Sequence, residues 1–293
     1  MCGIVGLFCK TPKLREDLGA HLSEMLVIMS DRGPDSAGIA VYDPPVPGVA
    51  KLTVQSEHGF DGLVAGLSAK LGMAPEVAIK STHAVIALPE GQQTTARTWL
   101  RDQGYRVMSA GERIEIYKEV GLPGDVAARF DIPSRGGSHG IGHTRMATES
   151  AVTTQGAHPF STGPDQCLVH NGSLSNHNSL RRKLAREGVQ VETENDTEVA
   201  AAYLTWRMGQ GASLGEALEA GIKDLDGFYT FVVGTADGFG VLRDPIACKP
   251  AVLAETGDYV AFGSEYRALV NLPGIETARV WEPEPAQVYF WSH

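Results

Sequence analysis

The chain has 293 residues, with 25 basic and 35 acidic side chains and a formal net charge of −10. That length suits one large domain or two smaller ones around a real core, and the acidic balance argues against nucleic acid or an anionic membrane as a partner. The cysteines Cys2, Cys9, Cys167 and Cys248 form no C-x-x-C pair, which excludes the usual zinc and iron–sulfur frames and suits a reducing cytosol. No apolar run approaches the ~20 residues of a membrane span. The apolar stretch 3–8 is too short for a secretion signal and is followed by charge, so a cytoplasmic protein is expected.

In chain order, the first feature is Met1-Cys2. Met1 before a small residue is expected to be removed, leaving the Cys2 thiol and a free α-amine on one residue. The thiolate is the nucleophilic form. An α-amine with a pKa of about 7.7–8.0 can take the thiol proton near neutral pH. The plainer alternative is that Cys2 merely starts a buried strand over 3–8. Helical spacing of Leu14, Leu18, Leu22, Met25, Leu26 and Met29 predicts an amphipathic helix over 13–30. Asp31-Arg32-Gly33-Pro34-Asp35 reads as a turn and 38–42 as a strand.

Two breaker clusters, at 43–48 and 132–137, bracket the segment 44–138, which is expected to be a small α/β insertion. Within it, 82–88 and 114–119 read as strands, and 95–103 as a helix starting at a Thr cap. Beyond it, 140–144 and 166–170 read as strands and 178–186 and 197–208 as helices, the second capped by Asp196. A further helix is expected over 214–225. Short apolar runs at 228–233, 240–243, 251–254, 259–263 and 287–291 look like antiparallel strands. Strands, then helices, then strands predict an α+β layered sandwich.

Five segments then stand out in order: Cys2-Gly3-Ile4-Val5-Gly6, Arg32-Gly33-Pro34-Asp35-Ser36-Ala37-Gly38, Gly142-His143-Thr144-Arg145-Met146-Ala147-Thr148, His170-Asn171-Gly172 and Asp196-Thr197-Glu198. Together they resemble the glutaminase domain of class II glutamine amidotransferases, N-terminal-nucleophile enzymes that hydrolyse glutamine. The resemblance covers 1–43 and 139–293. It implies a four-layer αββα N-terminal-nucleophile hydrolase sandwich across 1–293, interrupted by the insertion. It also implies that Cys2 is the nucleophile, that the Asn171 side-chain amide and the Gly172 N–H form the oxyanion hole, and that Arg32 orients the terminal residue. Arg145 is implied as the clamp on the substrate α-carboxylate and Asp196 as the ligand of its α-ammonium, with Thr144 and Thr148 as lesser contacts.

The chemistry supports these assignments. A tetrahedral oxyanion needs two donors; Asn supplies a neutral NH₂, and Gly lets a backbone N–H come close. Guanidinium binds carboxylate bidentately. Each residue also has a plainer reading: Asn171-Gly172 as a hairpin turn, Asp196 as a helix cap, Arg32 as a solvated charge. His143 and His170 have no carboxylate at ligand spacing, so no metal is expected. Met146 and Glu149 replace a Trp and a His that many relatives carry, which puts closure over the substrate in question. Arg243-Asp244-Pro245 and Gly263-Ser264-Glu265 are read as structural turns.

The sequence contains no P-loop, Rossmann fingerprint or region resembling an ammonia acceptor. The expected product, ammonia, is therefore assigned to a separate synthase subunit in a hetero-oligomer. The resemblance points to the free-standing amidotransferase subunits of glutamate-synthase-like and N-methylglutamate synthase systems, in which FMN and iron–sulfur centres sit on the partner and no cofactor on this chain. Two other readings stand beside this one: a stand-alone N-terminal-nucleophile amidohydrolase, and a non-catalytic glutamine-binding regulatory subunit.

Overall fold

The computed structural model describes residues 2–147 and 151–293. The chain opens with β1 (Gly3–Cys9), α1 (Leu18–Ile28) and β2 (Ser36–Tyr42). It continues through β3 (Val49–Gln55), α2 (Leu63–Leu71), β4 (Glu76–Lys80), β5 (His83–Pro89), α3 (Gln93–Asp102) and β6 (Arg106–Gly111). Next come β7 (Ile114–Val120), α4 (Pro123–Arg129), β8 (His139–Arg145) and β9 (Cys167–Leu174). Helices α5 (His177–Arg186), α6 (Asp196–Gly209) and α7 (Leu214–Asp224) follow. The last strands are β10 (Gly227–Gly234), β11 (Gly238–Arg243), β12 (Val252–Glu255), β13 (Tyr259–Gly263), β14 (Arg279–Trp281) and β15 (Val288–Ser292).

Among the described residues the strands form three sheets, ordered β14-β12-β13-β1-β8-β2-β7, β15-β11-β10-β9 and β4-β5-β3-β6. The first two stack face to face. Strand periodicity explains why. Successive side chains point to opposite faces, so Val5, Leu7 and Cys9 of β1 pack with Leu22, Met25 and Leu26 of α1, while Ile4 and Phe8 meet Val169, Val232 and Phe239 of the second sheet. Tyr229 and Phe231 of β10 turn the other way, onto Leu180, Leu184, Leu204 and Leu218 of α5–α7. These three apolar interfaces separate four layers, helix–sheet–sheet–helix, the αββα sandwich of N-terminal-nucleophile hydrolases. Both central sheets are covered on both faces, so their strands read as continuous apolar runs. No helix among the described residues is long and apolar enough to cross a membrane.

The segment 44–138 does not fold as one layer. β3–β6 with α2 and α3 enclose their own core around Leu52, Leu67, Ile86 and Leu100. Strand β7, however, pairs along its whole length with β2 and extends the main sheet. Ile114 and Ile116 enter the inter-sheet core, and Tyr117 enters the α1 side. That is the same period-2 division of faces as in β1, and it makes β7 an edge strand of the sandwich.

Other expectations also shift. The helix predicted over 13–30 starts only at Leu18, because Pro12–Leu14 forms a separate short 3-10 turn. Helix α3 begins at Gln93 without a side-chain cap, so Thr95 is interior. Helix α6 is capped by Asn195, whose side chain accepts from Thr197 N at 2.9 Å, and Asp196 is its first residue.

Candidate active site

Cys2 immediately precedes β1, which lies between β13 and β8 in the main sheet. Its carbonyl oxygen accepts two side-chain hydrogen bonds, from Arg32 Nε at 3.0 Å and from Asn171 Nδ2 at 3.1 Å. The next residue is pinned as well. Gly3 N donates to Thr144 Oγ1 at 3.1 Å, and that hydroxyl donates to Met29 O at 3.2 Å. Ile4 N donates to Ser264 Oγ at 2.9 Å. The Cys2 backbone is thus anchored while its side chain stays half-exposed, its Sγ 4.0 Å from Met146 O.

Arg32 is buried and forms an ion pair with Glu265 through NH1. A buried guanidinium is costly without such a partner. Hydrogen bonds from Arg32 and Arg267 hold the Glu265 carboxyl below the usual carboxylate range. The Gly263-Ser264-Glu265 segment, read from sequence as a structural turn, therefore supports the site directly. Ser264 holds Ile4, and Glu265 neutralises the arginine on Cys2.

Asn171-Gly172 is not a hairpin turn. Both residues lie inside β9, opposite Thr230 and Tyr229 of β10. Gly172 has φ +147°, and a Cβ there would fall 1.9 Å from Phe228 O. Only glycine fits, and Gly172 lines the same cavity as Asn171.

Arg145 is the last residue of β8. It is buried, and its NH1 donates to Ala151 O at 3.3 Å. The Arg-Gly-Pro-Asp motif sets its backbone. A Cβ on Gly33 would lie 2.5 Å from Arg145 N. Asp35 N donates to Arg145 O at 3.1 Å, and Asp35 Oδ2 accepts from Ala147 N at 2.8 Å. Thr144 is fully buried, and its hydroxyl serves the strand of Cys2 rather than the cavity. Thr148 and Glu149 lie outside the described residues.

Because Asn195 takes over the capping of α6, the Asp196 carboxylate is free to turn back, and Oδ2 accepts from Leu174 N at 2.9 Å. Burial pushes the Asp196 carboxyl up, but His170 and the Leu174 N–H outweigh it and hold the group at about 2. At 3.7 Å the His170–Asp196 contact is electrostatic. The nearer partner of His170 Nδ1 is Thr197 Oγ1 at 3.1 Å, and the same hydroxyl lies 2.7 Å from His158 Nε2. Burial lowers His143 to about 3 and His158 well below the usual imidazole range. Glu198 completes the motif by accepting from Glu192 N at 2.8 Å and from Thr193 N at 2.6 Å. It thereby folds the preceding loop into the cavity wall.

Cys2, Arg145, Asn171, Gly172 and Asp196 all open onto one cavity of about 690 Å³. Arg32 and Thr144 stand behind it. Lys249 and Gln155 also line the cavity, and no sequence motif signals them. The remaining buried thiols are different in kind: burial pushes Cys9 up to about 12 and Cys167 to about 11.

Comparison with known proteins shows the family and the fold. The family described as "Glutamine amidotransferase domain" matches residues 143–271. The glutamine amidotransferase-like protein GlxB of Rhizobium meliloti is 65% identical, across 100% of this chain and 99% of that protein. A putative glutamine amidotransferase of Methanothermobacter thermautotrophicus is 34% identical, across 98% of each chain. Among solved structures, the glutamine phosphoribosylpyrophosphate amidotransferase of B. subtilis superposes with a TM-score of 0.65 at 20% identity over 99% of this chain. That likeness is one of fold, and this chain spans 47% of that protein's length.

Proposed function

This chain belongs to the class II glutamine amidotransferases, and from that premise we propose that it is a glutaminase subunit that hydrolyses L-glutamine to glutamate and ammonia through a Cys2 thioester. The observation that carries the reading is the single cavity onto which a thiol, an amide–glycine donor pair, a buried guanidinium and a carboxylate held at about 2 all open. Arg145 receives the α-carboxylate of glutamine, and Asp196, ionised at any physiological pH, receives the α-ammonium. These two charges distinguish an amino-acid substrate from a simple amide.

Once Met1 has been removed, the Cys2 α-amine accepts the thiol proton and the thiolate attacks the side-chain amide carbon. The developing oxyanion is met by Asn171 Nδ2 and Gly172 N–H. The intermediate collapses as the α-ammonium passes its proton to the departing nitrogen, giving ammonia and a glutamyl thioester. Water then attacks the thioester with the amine as base. A second oxyanion forms in the same hole, and its collapse releases glutamate and restores the thiol. Arg32 and Thr144 touch backbone rather than substrate and act by positioning Cys2.

The ammonia acceptor in this reading is a separate subunit of glutamate-synthase or N-methylglutamate-synthase type, carrying FMN and iron–sulfur centres. Family resemblance supports this assignment. A rise in glutaminase turnover on adding such a subunit is the expected result. High turnover by the pure chain, indifferent to any partner, argues against it.

The decisive experiment is intact mass with and without the glutamine analogue 6-diazo-5-oxonorleucine, followed by peptide mapping. Loss of Met1 and a single adduct on Cys2 is expected. Cys248 is the built-in control, because it is an exposed thiol that lines no part of the cavity. Retained Met1, or a processed chain that stays unlabelled, would favour the regulatory reading.

A further inference from the structure

Lys118 lies in β7 with only 4% of its surface exposed, and no step of the proposed reaction uses it. A buried ammonium is costly unless its protons find acceptors. Here Nζ donates to three main-chain carbonyls: Gln155 at 3.3 Å, Ala157 at 2.8 Å and Pro159 at 3.3 Å. It also sits 4.4 Å from the centre of the Phe160 ring. All four partners belong to the single segment 155–160.

That segment is a wall of the glutamine cavity, to which Gln155, Gly156 and His158 contribute. It also packs on the proposed carboxylate clamp. A Cβ on Gly156 would lie 3.7 Å from Arg145 NH1. The approach of the wall is built into the opposite strand too. Gly38 pairs with Lys118, and a Cβ on Gly38 would fall 2.0 Å from His158 O and 2.6 Å from the Lys118 Cβ. The final glycine of the Arg-Gly-Pro-Asp-Ser-Ala-Gly motif thus leaves room for the wall that Lys118 holds.

We propose that Lys118 is a positioning residue whose three hydrogen bonds fix segment 155–160 against Arg145 and so set the α-carboxylate end of the glutamine pocket. For its substrate this inference rests on the glutaminase reading. For its geometry it does not. β7 follows directly on the β3–β6 insertion, so the same contact ties the inserted layer to the pocket.

Burial pulls the Lys118 ammonium down to about 7, with Glu198 of α6 pulling the other way. The surrounding charged and titratable groups are His158 of the wall, His83 of β5, and Arg97, Arg101, Arg106 and Glu192 around the adjoining cavity. A neutral amine has one proton fewer to donate, so the wall is held by all three bonds below this range and by fewer above it.

Lys118→Met keeps the length and apolar bulk of the side chain and removes its donors. KM for glutamine is expected to rise about 10-fold or more with kcat changed much less, the signature of a misplaced binding group. Hydrogen–deuterium exchange should accelerate across 155–160 while β1 and β9 keep their protection. In the wild type, KM should rise as pH passes through about 7, and this step should vanish in the variant. Should Lys118→Met fail to fold, Lys118→Gln, which retains one donor group, is read in the same way. A folded variant with unchanged KM and unchanged exchange overturns the inference, and so does a fall in kcat at constant KM. If the wild type turns over no glutamine, the glutaminase reading fails on its own account, and the exchange comparison still decides for or against the clamp.

Discussion

Replacing Asn171 with alanine separates a catalytic from a structural role at one side chain. Asn171 Nδ2 donates to the Cys2 carbonyl at 3.1 Å, and that carbonyl also accepts from Arg32 Nε at 3.0 Å. In Asn171→Ala the acceptor keeps Arg32, so the folded state loses one neutral hydrogen bond without orphaning its partner, a cost of about 1 kcal/mol. The transition state loses a whole oxyanion donor, a cost of about 2.7–4 kcal/mol, or roughly 100- to 1000-fold in kcat. The two magnitudes differ enough to be read apart. The assay is steady-state glutaminase kinetics on the processed protein, with the rate of 6-diazo-5-oxonorleucine inactivation and a urea midpoint measured alongside. We expect kcat to fall at least about 100-fold with KM within about 3-fold of wild type, because the donor acts on charge absent from the ground state. A folded variant with kcat within about 10-fold of wild type, or with its loss mainly in KM, would refute the oxyanion assignment.

Gly172→Ala should abolish turnover and cost about 1–3 kcal/mol in urea unfolding, since its Cβ meets Phe228 O at 1.9 Å at φ +147°; a stable, active alanine variant would contradict the reading. His170 and the Leu174 N–H hold the Asp196 carboxyl at about 2, below the ~3.9 of a free aspartate. Its depressed pKa contributes stability that is fully present above about pH 4 and lost as pH falls toward 2, about 2.5 kcal/mol in all. Asp196→Asn should flatten urea stability over that window and raise KM for glutamine; an unchanged slope would sink the assignment. Glu265→Ala leaves the buried Arg32 guanidinium without its carboxylate. It should cost about 1–2 kcal/mol and lower kcat modestly, because Asn171 still holds the Cys2 carbonyl. Iodoacetamide at neutral pH should modify Cys2 and Cys248 and leave Cys9 and Cys167 untouched, since burial holds those thiols at about 12 and about 11; labelling of either in the folded protein would show that the core opens.

Much of the sandwich is legible locally. The run after Cys2, the strands near 140 and 167, the helices near 178, 197 and 214 and the strands near 228 and 259 each fall within a few residues of β1, β8, β9, α5–α7, β10 and β13. Apolar side chains at period 2 or 3.6 must be buried wherever the chain puts them. The inserted layer is less legible, and β3, β4, β6 and α2 carry weak signals. In β4 the residues are mostly exposed, so no alternation marks the strand.

The motifs also name most of the residues that the fold gathers at the cavity, because a thiol at the start of the chain, an Asn-Gly pair, an Arg and an Asp can be recognised by their chemistry alone. What each of them leans on cannot. Glu265 is 233 residues from Arg32, Ser264 is 260 from Ile4, and Lys118 reaches carbonyls 37 to 41 residues away. The choice of Asn195 rather than Asp196 as the cap of α6 depends on Leu174 N–H being there to take the carboxylate. The pairing of β7 with β2 depends on a sheet edge assembled from both ends of the chain. Periodicity and side-chain chemistry are properties of neighbouring residues and survive in the unfolded chain. Burial, desolvation and the partners that compensate them exist only once distant segments are packed together, and they decide which arginine is held, which carboxylate is ionised and which wall is fixed.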